Sequence, residues 1–433
     1  MNGAGTRRIA PMIRFEGEFS FSGDKSVTQR AILLGGVAQG ETVICGAAQG
    51  KDAQTALSCI SALGAEVKHL GETLVIKGAP RLKSAVSLDC GNSATCMRLL
   101  TGLLSGKGIE ATLFGDGSLS RRPMARVAEP LTRLGARIET ELGKPPIYIS
   151  PAFLTGGEIA LSIPSAQVKS ALMLAGLDAK NGVFVVENHP TRDHTERMLP
   201  LFGAPVSVTK TEQGKRIFTQ KCGLKGTEID VAGDLSSAAY FMALGALKGR
   251  VLCKNVGVNP TRTGIFKAFK KLGVRFSLSN ERTVSGEPRA DVLVEKSELK
   301  AVKITAEEIP LMIDELPLIA ILCLFANGES TVSGASELKE KESDRLSGTV
   351  RLIRALGGEA EETTDGWRIR GDTRLVGGDV PTALIGGDHR LCMTAAIALL
   401  SSEKGGMLSG VNACNVSFPE FFEKLKSAGA GVE

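Results

Sequence analysis

The stretch SAQVKSALMLAGL, Ser165–Leu177, decides the fold, because a polar helix start leads directly into a nearly unbroken apolar run. A helix of this composition has no polar face to turn toward solvent, so it must be buried among other elements. The segment LPLIAILCLFA, residues 316–326, has the same character. Both segments indicate a fold in which apolar helices are surrounded by neighbouring elements.

Working outward, a polar start, an apolar helix and a short apolar strand recur six times along the chain. The six starts are Asp24-Lys25-Ser26, Gly91-Asn92-Ser93, Ser165-Ala166-Gln167, Asp234-Leu235-Ser236, Asp314-Glu315 and Asp388-His389-Arg390. The strands that follow are ETVICG, EATLFG, VFVVEN, RVLCKN, STVSG and MLSG. This recurrence indicates an internal repeat.

A second, amphipathic helix in each repeat is predicted to stop at a glycine, which accepts the left-handed conformation after a helix end without steric cost. These glycines are Gly64, Gly135, Gly203, Gly273, Gly357 and Gly429, separated by 71, 68, 70, 84 and 72 residues. Strand, helix, strand and helix at this spacing form a βαβ-rich unit. Three units can close around their apolar helices, so the sequence predicts an α/β protein of two three-repeat globules.

Composition favours a small acidic ligand over a nucleic acid. The formal charge is +5 and the pI about 8.7, below the basic footprint expected of a nucleic-acid-binding domain. Nine scattered cysteines include no CxxC pair and no His/Cys cluster in sequence, which predicts reduced, buried, structural thiols and no metal. The beginning of the chain, residues 1–15, has no apolar signal core, so the chain is expected to be cytoplasmic, with no membrane contact.

Helix N-termini attract anions through their unpaired N–H groups and partial positive charge. The simpler interpretation is that Asp, Ser and Asn at these starts only cap the helices. Capping gives no reason for Lys25 or Arg390, since a cation in the first turn opposes the helix dipole unless an anion offsets it. Arg98 lies further along its helix and is compatible with a surface position. The basic helix starts therefore favour a bound polyanion.

Two further segments are basic. In SRRPM, residues 120–124, Pro123 presets the first helical turn, and Arg121 and Arg122 are expected to project from the loop. The run KEKESDR, residues 339–345, opens a helix and by itself is typical of a solvated face.

Together these segments resemble the enolpyruvyl transferase family, most closely its branch that acts on shikimate 3-phosphate. The resemblance is carried by GDKSVTQRA, GNSATCMRLL, GDGSLSRRPM, IPSAQVKSALMLAGL, TRDHTERML, GDLSSAAYFM, DELPLIAIL, KEKESDRL, GDHRLCMTAAIA and SFPEFFEKL, in this order from about Gly23 to Leu425. It implies an inside-out α/β barrel pair, with residues 21–231 as one domain, residues 1–20 and 232–433 as the other, and the active site in the interdomain cleft.

The resemblance also implies the reaction: transfer of the enolpyruvyl group of phosphoenolpyruvate to the 5-hydroxyl of shikimate 3-phosphate, with release of phosphate. The expected protein is a monomer with small-molecule substrates and no metal or organic cofactor. By motif position, the residues implied at phosphoenolpyruvate are Lys25, Asn92, Ala94, Arg122, Gln167, Arg345 and Arg390. Those implied at shikimate 3-phosphate are Ser26, Arg30, Ser165, Ala166, Gln167, Arg192, Asp314 and Lys341.

The chemistry needs an acid for the methylene carbon and a base for the hydroxyl proton. The family's carboxylates correspond to Asp314, assigned here as the base, and Glu342, assigned as the acid, with Lys25 able to share the proton transfer. A capping role for Asp314 and an exposed helix position for Glu342 are the alternatives.

The sequence departs from the family pattern at three positions. Ala94 stands where many relatives have Gly, and its methyl group should narrow the phosphoenolpyruvate pocket and reduce sensitivity to glyphosate. Val416 replaces a substrate-binding lysine of some relatives, and Glu337 replaces an Asn.

Three alternative functions differ in what they require. A UDP-N-acetylglucosamine enolpyruvyl transferase usually has a Cys in the loop before its RP motif, and GDGSLSRRP has none. A fold relative that processes RNA ends needs a catalytic His, for which His389 is the comparable position. A non-catalytic repeat scaffold gives no reason for charged residues at so many helix starts.

Overall fold

A computed structural model describes residues 5–79, 81–212 and 214–433. The chain forms two compact units. Among the described residues, the N-terminal unit comprises Gly23–Val231 and Val284–Glu287, and the C-terminal unit comprises residues 5–22, Ala232–Thr283 and Pro288–Glu433. No helix among the described residues combines the length and apolar character needed to cross a membrane.

The α-helices within the described ranges fall into two groups by unit. Those of the N-terminal unit are α1 (Lys25–Val37), α2 (Lys51–Ala62), α3 (Ala94–Gly106), α4 (Ala125–Arg133), α5 (Ala166–Gly176) and α6 (His194–Met198). Those of the C-terminal unit are α7 (Leu235–Lys248), α8 (Gly264–Leu272), α9 (Leu316–Leu324), α10 (Arg345–Ala355), α11 (Thr382–Ile385), α12 (His389–Ser401) and α13 (Phe421–Ser427).

The β-strands are short. Up to residue 150 they are β1 (Thr6–Ile9), β2 (Phe15–Ser20), β3 (Glu41–Cys45), β4 (Glu66–Leu70), β5 (Thr73–Lys77), β6 (Val86–Asp89), β7 (Ala111–Phe114), β8 (Arg137–Glu141) and β9 (Lys144–Ser150). The next are β10 (Gly157–Ala160), β11 (Val183–Glu187), β12 (Ser207–Thr211), β13 (Gly214–Thr219), β14 (Glu228–Asp230), β15 (Gly249–Gly257), β16 (Arg275–Val284) and β17 (Glu287–Glu295). The last are β18 (Leu299–Lys300), β19 (Lys303–Ile304), β20 (Ala326–Asn327), β21 (Glu329–Val332), β22 (Ala360–Thr363), β23 (Gly366–Arg370) and β24 (Gly406–Ser409).

Five repeats share one sheet topology, which confirms the predicted internal repeat. In the second repeat the strand order is β6-β7-β9-β8, with β6 parallel to β7 and the other pairs antiparallel. The orders β14-β3-β5-β4, β10-β11-β13-β12, β2-β15-β17-β16 and β19-β21-β23-β22 match it. The predicted strand, helix, strand and helix are thus followed by a hairpin. Its outer strand is exposed and polar, as in SVTKT of β12, so it carries no apolar signal in the sequence.

The first strand of one repeat in each unit comes from a distant part of the chain. In the N-terminal unit, β14 pairs in parallel with β3, so residues 228–230 complete the sheet that begins at residue 41. In the C-terminal unit, β2 pairs in parallel with β15. In the sixth repeat β1 pairs with β24, Ile9 bridges to Val432, and Val380 bridges to Leu408. The N-terminal segment therefore supplies strands to two sheets of the C-terminal unit.

The six apolar helices lie in the cores, as predicted. Every residue of α9 is buried, and Val168 to Gly176 of α5 are buried. Helices α3 and α5 approach closely because Gly102 has no side chain: a Cβ there would lie 2.1 Å from the carbonyl oxygen of Ala171. The helix axes can therefore pack with backbone against backbone.

The predicted helix ends are confirmed. All six glycines at the repeat period have positive φ, between 79° and 110°. Five of the apolar helices begin after a capping Asp or Ser at the predicted start, as α1 does where Asp24 accepts the Val27 N–H at 2.9 Å. At α9 the residue before the helix is Glu315, not Asp314, so the capping interpretation of Asp314 is wrong.

Candidate active site

The start of α1 positions three of the candidate residues of the N-terminal unit. Lys25, the first helical residue, forms an ion pair of 3.0 Å with Asp52 and keeps 18% of its side chain exposed. Arg30 lies one turn later, buried, and donates to Thr195 Oγ1, to Ser170 Oγ and to the Ser26 carbonyl, at 2.8–3.0 Å. Burial lowers the pKa of Arg30 to about 10, and the positive charge of Arg192 acts in the same direction.

The start of α3 brings Asn92 and Arg122 together. Arg122 Nη2 donates to Asn92 Oδ1 at 3.2 Å, and Asn92 Nδ2 donates to both carboxylate oxygens of Asp116. Arg122 is buried, so the expectation that both arginines of SRRPM project from the loop is wrong for it; Arg121 is exposed. Ala94 is the first residue of α3 and is 4% exposed.

Gln167 is held by a residue that the sequence did not single out. Arg98 Nη1 donates to Gln167 Oε1 at 2.5 Å and its Nη2 donates to the Pro123 carbonyl at 3.0 Å, while Gln167 Nε2 donates to Thr95 Oγ1 at 2.8 Å. Arg98 is buried, so a surface position is excluded. Its place four residues beyond Ala94, one turn along the same helix face, was the available signal.

The first turn of α5 contains a buried cation, Lys169. Ser165 caps the helix and Ala166 is its first residue. Lys169, fully buried, forms ion pairs with Glu187 at 2.8 Å and Glu196 at 2.6 Å. Burial acts to lower the pKa of Lys169, but the two carboxylates raise it on balance, so the lysine is held as a cation. Sequence reasoning missed this group because its partners lie 18 and 27 residues away.

In the C-terminal unit, Arg345 joins both candidate catalytic carboxylates. Its Nη1 donates to Asp314 Oδ1 at 3.2 Å and its Nη2 to Glu342 Oε2 at 2.5 Å, while its Nε donates to Asp388 Oδ2 at 2.8 Å. Asp388 also caps α12 by accepting the Arg390 N–H at 2.8 Å. Burial opposes the charge of Arg345, but the three carboxylates raise its pKa on balance, so it stays protonated.

Lys341 and Arg390 complete this group. Burial lowers the pKa of Lys341 below its ordinary value, and the charge of Arg345 acts in the same direction against Asp314 and Glu342. Arg390 is buried in the first turn of α12. Burial disfavours its charge, yet Tyr240 and three carboxylates, Asp314 among them, raise its pKa. The run KEKESDR is thus not a uniformly solvated face: Arg345 is buried, and Lys341 and Glu342 are half-buried.

The positions of the family departures are also defined. Glu337 is half-buried in the 3₁₀ turn Ser336–Glu340, and Val416 ends the 3₁₀ turn Val411–Val416. Arg192 is half-buried in the loop before α6.

The cysteines differ from expectation in two respects. Cys45 is exposed and Cys222 is partly exposed. The Sγ atoms of Cys59, Cys90 and Cys96 lie within 4.8 Å of one another, so the expectation of scattered thiols without a cluster is wrong. The sequence hid the cluster because its members come from α2, the β6–α3 loop and α3.

The fold and the site together define a class. Two three-repeat α/β units carry Lys and Arg at the N-termini of buried helices, and one unit adds three carboxylates around a guanidinium. Such an arrangement suits group transfer between anionic molecules. The sequence profile of the family EPSP synthase (3-phosphoshikimate 1-carboxyvinyltransferase) matches residues 9–425. The chain belongs to this family.

Individual relatives agree with that assignment. The 3-phosphoshikimate 1-carboxyvinyltransferases of Desulfitobacterium hafniense (strain DSM 10664 / DCB-2) and Bacillus subtilis (strain 168) are 44% and 39% identical to this chain, over 96% and 94% of it and 96% of each relative. The solved EPSP synthase of Acinetobacter baumannii superposes with a TM-score of 0.86 at 38% identity, covering 99% of both chains. The enolpyruvyl transferase NikO of Streptomyces tendae, with a TM-score of 0.78 at 18% identity over 100% of this chain and 99% of its own, shares the fold.

Proposed function

We propose that this protein transfers the enolpyruvyl group of phosphoenolpyruvate to the 5-hydroxyl of shikimate 3-phosphate and releases phosphate. The observation that carries the proposal is the family match over residues 9–425. Both substrates carry a phosphate and a carboxylate, which accounts for the number of buried cations at helix starts. The reaction belongs to the shikimate pathway, toward chorismate and aromatic amino acids.

The binding roles follow from charge and position. Lys25, Asn92, Arg122, Gln167, Arg345 and Arg390 are proposed to bind phosphoenolpyruvate, and Ser26, Arg30, Ser165, Ala166, Gln167, Arg192, Asp314 and Lys341 to bind shikimate 3-phosphate. The buried guanidinium of Arg30 beside the hydroxyls of Thr195 and Ser170 supports a phosphate contact there. These sets lie in both units, so the proposal requires the two units to act on one pair of substrates.

The chemistry proceeds by addition and elimination. Asp314 takes the proton of the 5-hydroxyl, and Glu342 protonates the methylene carbon as the new C–O bond forms. The tetrahedral intermediate then loses phosphate as the roles reverse and the double bond is restored. Support for this assignment comes from Arg345, which contacts both carboxylates and can keep the unprotonated one ionised. Lys25 is proposed to share the proton transfer, and its support is that part of its side chain stays exposed beside Asp52.

Three finer statements accompany this proposal. Ala94, buried at the first position of α3, is proposed to reduce sensitivity to glyphosate. The protein is proposed to act as a monomer. Its location is proposed to be the cytoplasm, where this biosynthetic family is expected to act.

The decisive experiment measures phosphate release by the purified protein with phosphoenolpyruvate plus shikimate 3-phosphate, and in parallel with UDP-N-acetylglucosamine as acceptor. We expect release only with shikimate 3-phosphate. Phosphate release only with UDP-N-acetylglucosamine would show that the sugar nucleotide, not shikimate 3-phosphate, is the acceptor. No release with either acceptor would falsify the transferase proposal.

A further inference from the structure

Three cysteine thiols converge in the N-terminal unit, and none of them is among the residues assigned to substrates above. Cys59 lies on α2, Cys90 directly follows β6, and Cys96 lies in the first turn of α3. Their sulfur atoms are all within 4.8 Å of one another, and each residue is at most 2% exposed. Of the four other buried cysteines, Cys392 and Cys414 form a pair with sulfurs 3.5 Å apart.

The spacing of the three sulfurs suits a single soft metal ion. Metal–thiolate bonds of about 2.3 Å in a trigonal arrangement place the sulfurs about 4.0 Å from one another. The three sulfurs would therefore have to move closer by at most about 1 Å. Within the described residues the group contains three sulfur ligands and no His, Asp or Glu as a fourth. Thiolates bind Cu(I), zinc and Fe–S clusters, but structural zinc sites are almost always four-coordinate, so a group of three sulfurs favours Cu(I).

We propose that Cys59, Cys90 and Cys96 form a binding site for one Cu(I) ion with three sulfur ligands. Binding forms three Cu–S bonds, breaks the S–H bond of each thiol that is protonated and releases those protons to solvent. Copper stays in the Cu(I) state, so no oxidant or reductant takes part. Cys90 and Cys96 also flank residues 91–94, where the Cys96 N–H donates to Ser93 Oγ at 3.2 Å. A metal ion bound by Cys90 and Cys96 would therefore change the positions of residues 91–94 at the start of α3 through this capping hydrogen bond.

The test is a Cu(I) titration of reduced, metal-free protein under anaerobic conditions, in competition with a chromophoric Cu(I) chelator. Cys392→Ala serves as the background, because the Cys392–Cys414 pair is a second candidate for copper. We expect one Cu(I) per chain, and X-ray absorption should count three sulfur neighbours. Cys59→Ser and Cys96→Ala should each weaken binding more than roughly 100-fold, since loss of a ligand exceeds the 10- to 100-fold cost of losing a second-shell partner.

Cys253→Ala is the matched control, since Cys253 is equally buried but belongs to the C-terminal unit. Three results would each overturn the proposal: Cys59→Ser retains as much copper as its parent, X-ray absorption counts two sulfur neighbours, or the parent protein retains no copper. If Cys96→Ala fails to fold, Cys59→Ser and the sulfur count in the Cys392→Ala background decide the matter.

The consequence for catalysis rests on the proposed function, and it is measured separately. Copper should raise the KM for phosphoenolpyruvate in the unaltered enzyme and leave that of Cys59→Ser unchanged. Because the stoichiometry is determined without substrates, an inactive transferase and an absent copper site give different results.

Discussion

The two units surround their candidate arginines with different partners. In the N-terminal unit Arg30 donates to hydroxyls and to a backbone carbonyl, and Arg98 donates to an amide and a carbonyl. In the C-terminal unit Arg345 donates to three carboxylates. A guanidinium that donates to neutral acceptors still attracts an anionic ligand with most of its positive charge. A guanidinium that donates to carboxylates has its positive charge neutralised by them, and its hydrogen bonds fix their positions.

The proposed roles give this contrast a meaning. The candidate arginines of the N-terminal unit donate to neutral acceptors, although Lys25 and Lys169 of that unit pair with carboxylates. The C-terminal unit holds Asp314 and Glu342, which are proposed as base and acid, and Arg345 contacts both. The predictions below test these proposed roles.

The largest effect is expected at the carboxylates. Glu342→Gln and Asp314→Asn should each lower kcat by about 10²- to 10⁴-fold, the usual contribution of a positioned acid or base. Glu342→Gln should leave both KM values nearly unchanged, whereas Asp314→Asn should also raise the KM for shikimate 3-phosphate, because Asp314 is proposed to contact that substrate. Steady-state phosphate release measures both constants. The matched control is Glu340→Gln, an exposed position in the same segment, which should retain full activity. A near-normal kcat in Glu342→Gln would remove this residue from the chemistry and weaken the contrast.

The next effect concerns the stability of the N-terminal unit. Lys169→Met leaves Glu187 and Glu196 buried without their cation, which should lower the free energy of unfolding by about 3–5 kcal/mol. Urea denaturation measures it. Lys180→Met, at an exposed position just after the same helix, is the control. An unchanged unfolding midpoint would show that water or a rearranged partner replaces the lysine.

A smaller effect is expected where a guanidinium positions an amide. In Arg98→Lys a single ammonium group replaces the planar guanidinium, and it cannot donate to both Gln167 and the Pro123 carbonyl in the same geometry. The Gln167 side chain should therefore lose its fixed orientation. The loss of one charged hydrogen bond, about 1.5–3 kcal/mol, should raise the KM for phosphoenolpyruvate about 10- to 100-fold. The control Arg133→Lys is exposed. Equal loss in kcat and no change in KM would assign Arg98 a different role.

The repeat, the buried helices and the residues at their starts could be predicted because each leaves a local signal. Polar starts, apolar runs and glycine stops are all read within about 15 residues of sequence. Partners from different repeats leave no such signal. Lys169 meets Glu187 and Glu196, Arg98 meets Gln167, and three cysteines meet from two helices and a loop. Burial of Arg98 and Arg122 was hidden for the same reason, since a charged residue is buried only when a distant partner compensates it.

Ala94 provides a test confined to ligand selectivity. Ala94→Gly removes one buried methyl group at the first position of α3. If that methyl group narrows the phosphoenolpyruvate pocket, glyphosate should inhibit the variant about tenfold more strongly, the lower end of what one methylene contributes in a pocket. Inhibition constants at fixed phosphoenolpyruvate give the ratio. Unchanged inhibition in Ala94→Gly would sink the tolerance argument without affecting the transferase assignment.

The smallest expected effect is a shift in a pH profile at Lys341. The pKa of Lys341 lies below its ordinary value, mainly because of burial. In the folded protein Lys341 therefore loses its proton at a lower pH than in the unfolded protein. The affinity for anionic shikimate 3-phosphate should therefore fall on the alkaline side before an ordinary lysine would titrate. The free energy of unfolding should rise with pH through the same window, because the unfolded state binds more protons there. Lys341→Arg keeps its charge and should move the alkaline limb of kcat/KM for shikimate 3-phosphate upward. An alkaline limb at the same pH in Lys341→Arg would assign that titration to another group, with Arg30, whose pKa is about 10, as the next to test.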